Sequence, residues 1–541
     1  MGEHQDSEFH FSPRPNRAHE VRWRPWSPET FEAARAADKP ILLSISAVWC
    51  HWCHVMDETS YSDQQVIDIV NEQYVPIRVD NDVRPDVNQR YNMGGWPTTA
   101  FLTPQGDILT GATYLPPEQM SDALARVSSY YRQHKPDIAA KVLEGRKRAG
   151  AAAAASAGAL DPGLVDRVLG NVESAYDATY GGFGTAPKFP QTDANALLAE
   201  QSVVKGEPRL LEMATHTLAQ MAAGGTYDHV EGGFFRYSTT QDWSVPHFEK
   251  MLEDHAGLLS ALALTGQAEI LDDAVRYLDN VLRDPETGLY AGSQDADEEY
   301  YSRDASGRSE LQPPYIDRRV YVAWNCALAV AFLDADLRLD RPRLREQALQ
   351  LLESVFDQYS APDGGLLHTD GVGGQLADQV WGLLAAVRAG WDDRARDLLR
   401  HLEERYGDAE LGGYFDHAGG DRLGRLGERL KPLGENSVAA TALHELGETE
   451  RAERALGSVA ALPRQYGLMA AAFARALDRV RRPLIKVTTT DRGLARAALA
   501  AFPYAAVELA GDERAVVCVG TLCLAPVRTP EAVAEAVSSR V

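Results

Sequence analysis

Apolar positions along the chain fall into two regimes. Ile41–Ala47 (ILLSISA) is a short, β-branched run bounded by Lys39-Pro40 and Trp49-Cys50, the pattern of a buried strand entering a helix. A second strand is predicted over Val75–Val79, with helical periodicity over Val55–Asn71 between the two. A third strand is predicted over Thr98–Leu102, after Gly94-Gly95-Trp96-Pro97 and before the turn Pro104-Gln105-Gly106-Asp107. Strand, helix, strand and a proline-led strand make an α/β plan.

From Glu118 onward the period becomes helical. Ala149–Leu160 (AGAAAAASAGAL) lacks charge and bulk, as a linker or exposed helix end does. Beyond it twelve helical segments are predicted, near 162–179, 192–203, 207–224, 249–265, 268–283, 320–334, 342–359, 375–389, 391–406, 436–447, 449–459 and 464–479. Short connections such as Ala389-Gly390 alternate with long ones carrying a glycine pair and an apolar residue. These are Gly181-Gly182-Phe183, Gly232-Gly233-Phe234, Gly364-Gly365-Leu366 and Gly412-Gly413-Tyr414, with Gly288-Leu289-Tyr290 as a degenerate member. Six helical hairpins with long loops on one side predict an (α/α)6 toroid, whose loops gather at one mouth. The tail carries strand patterns at Leu484–Thr489 and Ala515–Val519. The expected organisation is an α/β domain over 1–145, an all-α toroid over 160–480 and a small α/β segment over 481–541.

At 541 residues and 45% hydrophobic content the chain is long enough for two or more cores. Acidic residues outnumber basic ones by 78 to 54, a formal charge of -24, and no long basic run interrupts the excess. Nucleic acid and anionic membrane are therefore poor partners. The first twenty residues have no apolar core of the secretory kind and no stretch is long and apolar enough for a membrane span, so a soluble cytoplasmic protein is expected. Five cysteines (Cys50, Cys53, Cys326, Cys518 and Cys523) are too few for a disulfide scaffold.

Cys50-His51-Trp52-Cys53 follows the first strand and opens a helix, whose N-terminal N–H groups favour thiolate over thiol. Cys50 is the candidate nucleophile and Cys53 the resolving thiol. His51 tunes the thiolate, Trp52 lies between the sulfurs, and Pro97 falls where substrate backbone would dock. Three other readings compete: a zinc site using Cys50, Cys53, His54 and the Cys518/Cys523 pair, which lacks finger-like spacing; a haem string C-x-x-C-H, which requires export; and two buried structural cysteines. No cofactor and no metal are expected, since Asp295-x-Asp297 alone does not supply a hard-cation loop. Cys518 and Cys523 form a candidate second thiol pair, or edge-strand cysteines that merely pack.

In the helical region His247, Glu249 and Lys250 precede an apolar helix. With His229, Arg236, Tyr237, Asp295 and Asp297 they are expected to line the toroid mouth as proton-transfer and hydrogen-bonding groups. The plainer reading makes Glu249 a helix N-terminal carboxylate and the acidic run a solvated loop.

Several strings together resemble the thioredoxin-domain-containing family related to spermatogenesis-associated protein 20. They include Asp38-Lys39-Pro40-Ile41, Cys50-His51-Trp52-Cys53-His54-Val55-Met56, Arg84-Pro85-Asp86, Gly94-Gly95-Trp96-Pro97, Ala186-Pro187-Lys188-Phe189-Pro190, His247-Phe248-Glu249-Lys250-Met251-Leu252, Gln294-Asp295-Ala296-Asp297 and Cys518 with Cys523. The resemblance implies a thioredoxin-like domain followed by an (α/α)6 toroid similar to those of N-acylglucosamine 2-epimerases and six-hairpin glycosidases. The segment between Arg84 and Gly94 is shorter than that pattern, and the stretch ahead of Trp23 lacks part of it. Three functions are carried forward. The leading one is thiol-disulfide exchange on a protein client, with a ligand-binding toroid. The second is a carbohydrate-active toroid using His247, Glu249 and Asp295 or Asp297. The third is a non-enzymatic redox-sensing scaffold.

Overall fold

The computed structural model describes residues 9–154 and 156–540. The first eight residues of the segment read for a signal, and residue 155 of the expected linker, lie outside it. Of the two readings of the alanine-rich stretch, its start takes the second, as the end of the helix Lys135–Ala154. Two compact units are present. One comprises the chain up to Ala154 with 295–297 and 419–430, and the other comprises the remainder.

In the first unit β1 (Ile41–Ser46), β2 (Val75–Asp80), β3 (Thr98–Leu102) and β4 (Ile108–Ala112) form one sheet in the order β2-β1-β3-β4. Ile41 stands opposite Val75 in the parallel β1–β2 pair, while β3 runs antiparallel to both β1 and β4. An isolated parallel bridge from Arg24 to Ile77 lies beyond β2. The sheet and its crossover helices are thioredoxin-like. Every residue of β1 is buried because both of its faces are covered, which is why ILLSIS shows no alternation. Ile41, Leu43 and Ile45 pack with Trp26, Phe31 and Tyr91, whereas Leu42 joins Met56, Val66 and Phe101 on the other side.

The single helix expected over 55–71 is in fact two, His51–Glu58 and Gln64–Gln73. The polar run Thr59–Asp63 divides them, and the Asp63 carboxylate caps the second by accepting the Val66 N–H at 3.0 Å. β4 has no counterpart among the expected strands, because its residues are only half-buried and show no apolar alternation.

In the second unit six helices pack each on the next and the last on the first, closing a ring. They are Thr192–Lys205, Leu252–Thr265, Val322–Leu339, Leu376–Ala389, Leu433–Glu445 and Ala471–Val480. Six others alternate with them in sequence and pack around them: Gly163–Ala175, Pro208–Ala223, Ala268–Tyr277, Pro342–Tyr359, Asp392–Arg405 and Thr449–Gly457. The inner Val322–Leu339 is buried almost continuously from Val322 to Leu333. The outer Asp392–Arg405 buries only Ala395, Leu398, Leu399, His401 and Leu402, one stripe of a charged helix. This is the (α/α)6 toroid. Two expected helices change: 249–265 begins only at Leu252, and 464–479 is interrupted at Gly467, where φ is +56°.

Three of the four glycine-pair loops, those at Gly181, Gly232 and Gly412, share one polar clamp. An aspartate opens the loop, and a lysine bonds both its carboxylate and the carbonyl of the glycine four residues on. The Lys188 ammonium lies 2.7 Å from Asp177 and from the Gly181 oxygen, Lys250 lies 2.7 Å from Asp228 and 2.8 Å from Gly232, and Lys431 lies 2.7 Å from Asp408 and 2.6 Å from Gly412. The fourth residue of the following inner helix then holds a backbone group of the chain ahead of it. Asn325 bonds both backbone groups of Tyr290 (2.9 and 3.0 Å), Gln379 those of Leu366 (2.9 and 2.8 Å) and Asn436 those of Tyr414 (2.8 and 2.9 Å). His255 accepts the Phe234 N–H at 2.9 Å, and Asn195 donates to the Pro190 carbonyl at 2.9 Å. Glycine is required at Gly233, where φ is +81° and a Cβ would sit 2.5 Å from the Tyr277 ring.

At the opposite end the inner helices stop at left-handed residues (Gly206, Gly266, Asp340, Gly390), and the chain's last segment packs there. In that segment β5 (Ile485–Thr488), β6 (Ala506–Glu508), β7 (Val516–Val519) and β8 (Leu522–Cys523) form a sheet ordered β6-β5-β7-β8. The β5–β6 pair is parallel and the other two are antiparallel, so order and directions repeat those of the first sheet. β6 and β8 are too short to show a period in the sequence. Among the described residues no helix is long and apolar enough to cross a membrane.

Asn436→Ala deletes both bonds to Tyr414 and leaves buried backbone groups unpaired, so we expect a loss of about 2–4 kcal/mol in urea unfolding followed by circular dichroism. An unchanged midpoint would mean that the clamp does not support the ring.

Candidate functional site

Cys50 has an extended backbone and caps the helix His51–Glu58, its sulfur accepting the Cys53 N–H at 3.2 Å. The two sulfurs are bonded to each other and both cysteines are buried. Trp52 is 46% exposed and tilts against Tyr114 with ring centroids 5.1 Å apart, which places an aromatic surface next to the pair. Ahead of the sulfurs, the Trp49 indole donates to Asp82 at 2.6 Å and meets Trp96 edge-on at 5.5 Å. That contact brings the cis Trp96–Pro97 peptide to the thiol helix. His51, half-buried, stands edge-on to Trp52.

Beneath the helix a buried fork joins Arg78 to Asp57 at 2.8 and 2.9 Å, with Phe11 under the guanidinium at 4.7 Å. His54 is also buried, its Nδ1 3.6 Å from a carboxylate oxygen of Asp295. Burial, reinforced by His10, Arg78 and His51, pushes its pKa down to about 3, which leaves the ring neutral at physiological pH. Asp295 and Asp297, expected at the toroid mouth, group with the first unit. Asp295 is buried and accepts the Ala296 N–H at 2.7 Å.

Within the ring unit His247 Nδ1 lies 2.6 Å from the buried Glu249 carboxylate. Tyr237 stacks on His247 at 4.9 Å and on Phe189 at 4.7 Å, and burial followed by the Glu249 charge pushes its hydroxyl up to about 12. Arg236 donates its backbone N–H to the Glu249 carbonyl at 2.8 Å, and its guanidinium lies 3.9 Å from Asp254. These four predicted residues are brought together. His229 is not among them, since its side chain bonds the Gly224 carbonyl at 3.0 Å. Lys250 is a correction of another kind: it is fully buried in the loop clamp, and desolvation, opposed by Asp228, lowers its pKa to about 8. Glu249 precedes a short strand, not a helix, because Lys250–Met251 pairs with Ser293–Gln294.

Three carboxylates absent from the expected set complete this cluster: Glu253 and Asp254 on the first turn of an inner helix, and Glu435 on another. Protein around Glu253 and then the Asp254 charge push it up to about 7 even though the side chain still meets solvent; Asp254 rises to about 6, mainly by desolvation, and Glu435 is raised for the same reason. Asp228, bonded to Arg308 and Lys250, is held down at about 2 against its desolvation. Glu253 and Asp254 directly follow the string ending at Leu252, but nothing in the sequence distinguishes them from ordinary helix N-terminal acids.

Residues 10–147 match the family model Thioredox_DsbH, described as a protein of unknown function, DUF255. Spermatogenesis-associated protein 20 of Homo sapiens is 35% identical over 311 residues, which is 51% of this chain and 39% of that protein. Its Rattus norvegicus counterpart is 36% identical over 310 residues, again 51% and 39%. The match thus spans about two fifths of the length of these relatives. Among solved structures, cellobiose 2-epimerase from Spirochaeta thermophila DSM 6192 has a TM-score of 0.45 at 18% identity, covering 59% of this chain and 94% of that one. A thioredoxin from Thermus thermophilus has a TM-score of 0.19 at 23% identity, covering 20% and 89%. At such scores the fold stands on its own strand order and closed ring.

Because Glu253 and Asp254 bind protons more tightly folded than unfolded, their contribution is full below the ordinary carboxylate range and is lost as pH rises through about 6 and 7. Glu253→Gln should therefore melt higher than wild type at pH 8 and equally at pH 4, in thermal scans across that range. Parallel curves at all pH values would show that the carboxyl is not perturbed.

Proposed function

From the premise of a thioredoxin-like N-terminal domain, related to that of spermatogenesis-associated protein 20, we propose that the protein is a thiol-disulfide oxidoreductase acting through Cys50 and Cys53. The observation that carries this reading is Cys50 at the helix cap, its sulfur already accepting the Cys53 N–H. In the reduced form that N–H and the helix terminus favour the Cys50 thiolate. The thiolate attacks a client disulfide and forms a mixed disulfide, releasing one client thiolate. Cys53, one turn on, gives up its proton and attacks Cys50, which expels the second client thiolate and leaves Cys50 bonded to Cys53. The client gains two electrons and two protons, and an external dithiol restores the pair. His51 and the exposed Trp52 face the client, and Pro97 is the residue against which its backbone docks. The buried Asp57–Arg78 fork holds the helix carrying both sulfurs.

A second reading places a small polyhydroxylated ligand in the ring. His247, Glu249 and Tyr237 supply an ordered base with an aromatic shelf, and Glu253 and Asp254 supply carboxyls poised to donate protons near neutrality. In that case the thioredoxin-like domain regulates the ring.

Alkylation by iodoacetamide should titrate Cys50 well below the ordinary thiol range, and Cys50→Ser should abolish reduction of insulin disulfides. Cys53→Ser should instead accumulate mixed disulfides on Cys50. A wild type that neither cycles in glutathione buffers nor reduces insulin would overturn the first reading and leave the ring as the active part.

A further inference from the structure

Cys518 on β7 and Cys523 on β8 are bonded to each other and stand directly opposite in antiparallel register. Between them Val519 pairs with Leu522 across the two-residue turn Gly520-Thr521. The hairpin is already held by its turn and ladder, with the Leu524 N–H donating to the Val517 carbonyl at 2.9 Å. A covalent bond closing so short a loop removes little freedom from the unfolded chain, and it joins no distant elements. Bracing does not account for it.

Its surroundings do suggest a use. β8 is the edge strand of the sheet, Cys523 is exposed, and the neighbouring Leu522 is 60% exposed. On the inner side Lys486 of β5 is the register partner of Cys518 and is itself exposed. Cross-strand partners share a face, so Lys486, Cys518 and Cys523 form a row on the outer face, while Ile485, Val487 and Val517 point into the core. One sulfur is therefore carried by the cross-strand partner of a lysine, and the other lies at the rim.

We propose that Cys518–Cys523 is a second exchangeable redox couple, reduced by a protein dithiol of the thioredoxin type that reaches it from the β8 edge. A thiolate of the dithiol attacks the Cys523 sulfur. The Cys518–Cys523 bond breaks and Cys518 leaves as a thiolate stabilised by Lys486. The second thiol of the partner, on losing its proton, attacks the mixed disulfide and displaces the Cys523 thiolate. The partner ends as a disulfide, and two electrons and two protons have passed to Cys518 and Cys523. The couple is independent of the Cys50–Cys53 reading.

The test uses the full chain carrying Cys50→Ser and Cys53→Ser, so that a single disulfide reports. It is mixed with a thioredoxin whose resolving cysteine is replaced by serine, and in parallel with graded glutathione buffers under native conditions. A covalent adduct mapped to Cys523 by peptide mass spectrometry is expected, together with reversible alkylation of both cysteines along the buffer series. Lys486→Gln in the same background should slow adduct formation by roughly threefold to tenfold. Absence of adduct, with alkylation appearing only on unfolding, would overturn the proposal and make the bond a brace. An adduct on Cys518 would overturn the assignment of the attacked sulfur.

Discussion

The ring depends on the clamp at the head of its inner helices. Those helices are covered nearly all round, so the loops feeding them must turn where backbone N–H and C=O groups have little access to water. Each such group left unpaired would cost more than one hydrogen bond gains. Asp228, Gly232 and Lys250 close one loop on itself, and His255 takes the N–H that water would have taken. Repetition of the device with Lys188 and Lys431, and of its helix-borne half with Asn325, Gln379 and Asn436, lets successive hairpins meet at the same level, which a closed ring requires.

The same cost of unpaired polar groups shapes the thiol site. Arg78 and Asp57 are both buried beneath the thiol helix and are tolerable only as a forked pair. Trp49 is anchored to Asp82 and meets Trp96, so the segment just ahead of β3 is tied to the residue preceding Cys50 by ring contact and one hydrogen bond. Positive charge is treated differently in the ring, where Lys188 and Lys250 are spent on loop structure. At the heads of its inner helices Glu253, Asp254 and Glu435 rise in proton affinity mainly by desolvation, which the Arg236 guanidinium 3.9 Å from Asp254 only partly offsets.

Two sheets of this chain share one strand order and one set of directions, yet they place sulfur differently. In the first, the pair lies at a helix start and is buried. In the last, it spans two strands at an edge and is open to solvent on one side. A helix terminus stands at the first pair, and a lysine, Lys486, is the register partner of Cys518 in the second.

Several features were legible before any fold was known. The strand ahead of Cys50, the helix opened by the cysteine pair and the alternation of helices behind the glycine-pair loops all follow from local periodicity and turn chemistry, which the chain carries residue by residue. The break at Thr59–Asp63 was not, because a capped polar turn between helices resembles one helix with a polar face. Lys250 illustrates the larger limit: beside His247 and Glu249 it reads as a site residue, but only the fold brings Asp228 and the Gly232 carbonyl around its ammonium. Asp295 likewise reads as part of an acidic loop, and only the fold sets it beside His54. Sequence determines which residues are apolar, charged or able to turn; tertiary structure decides which charges meet, because pairing depends on distances between segments that no local pattern encodes.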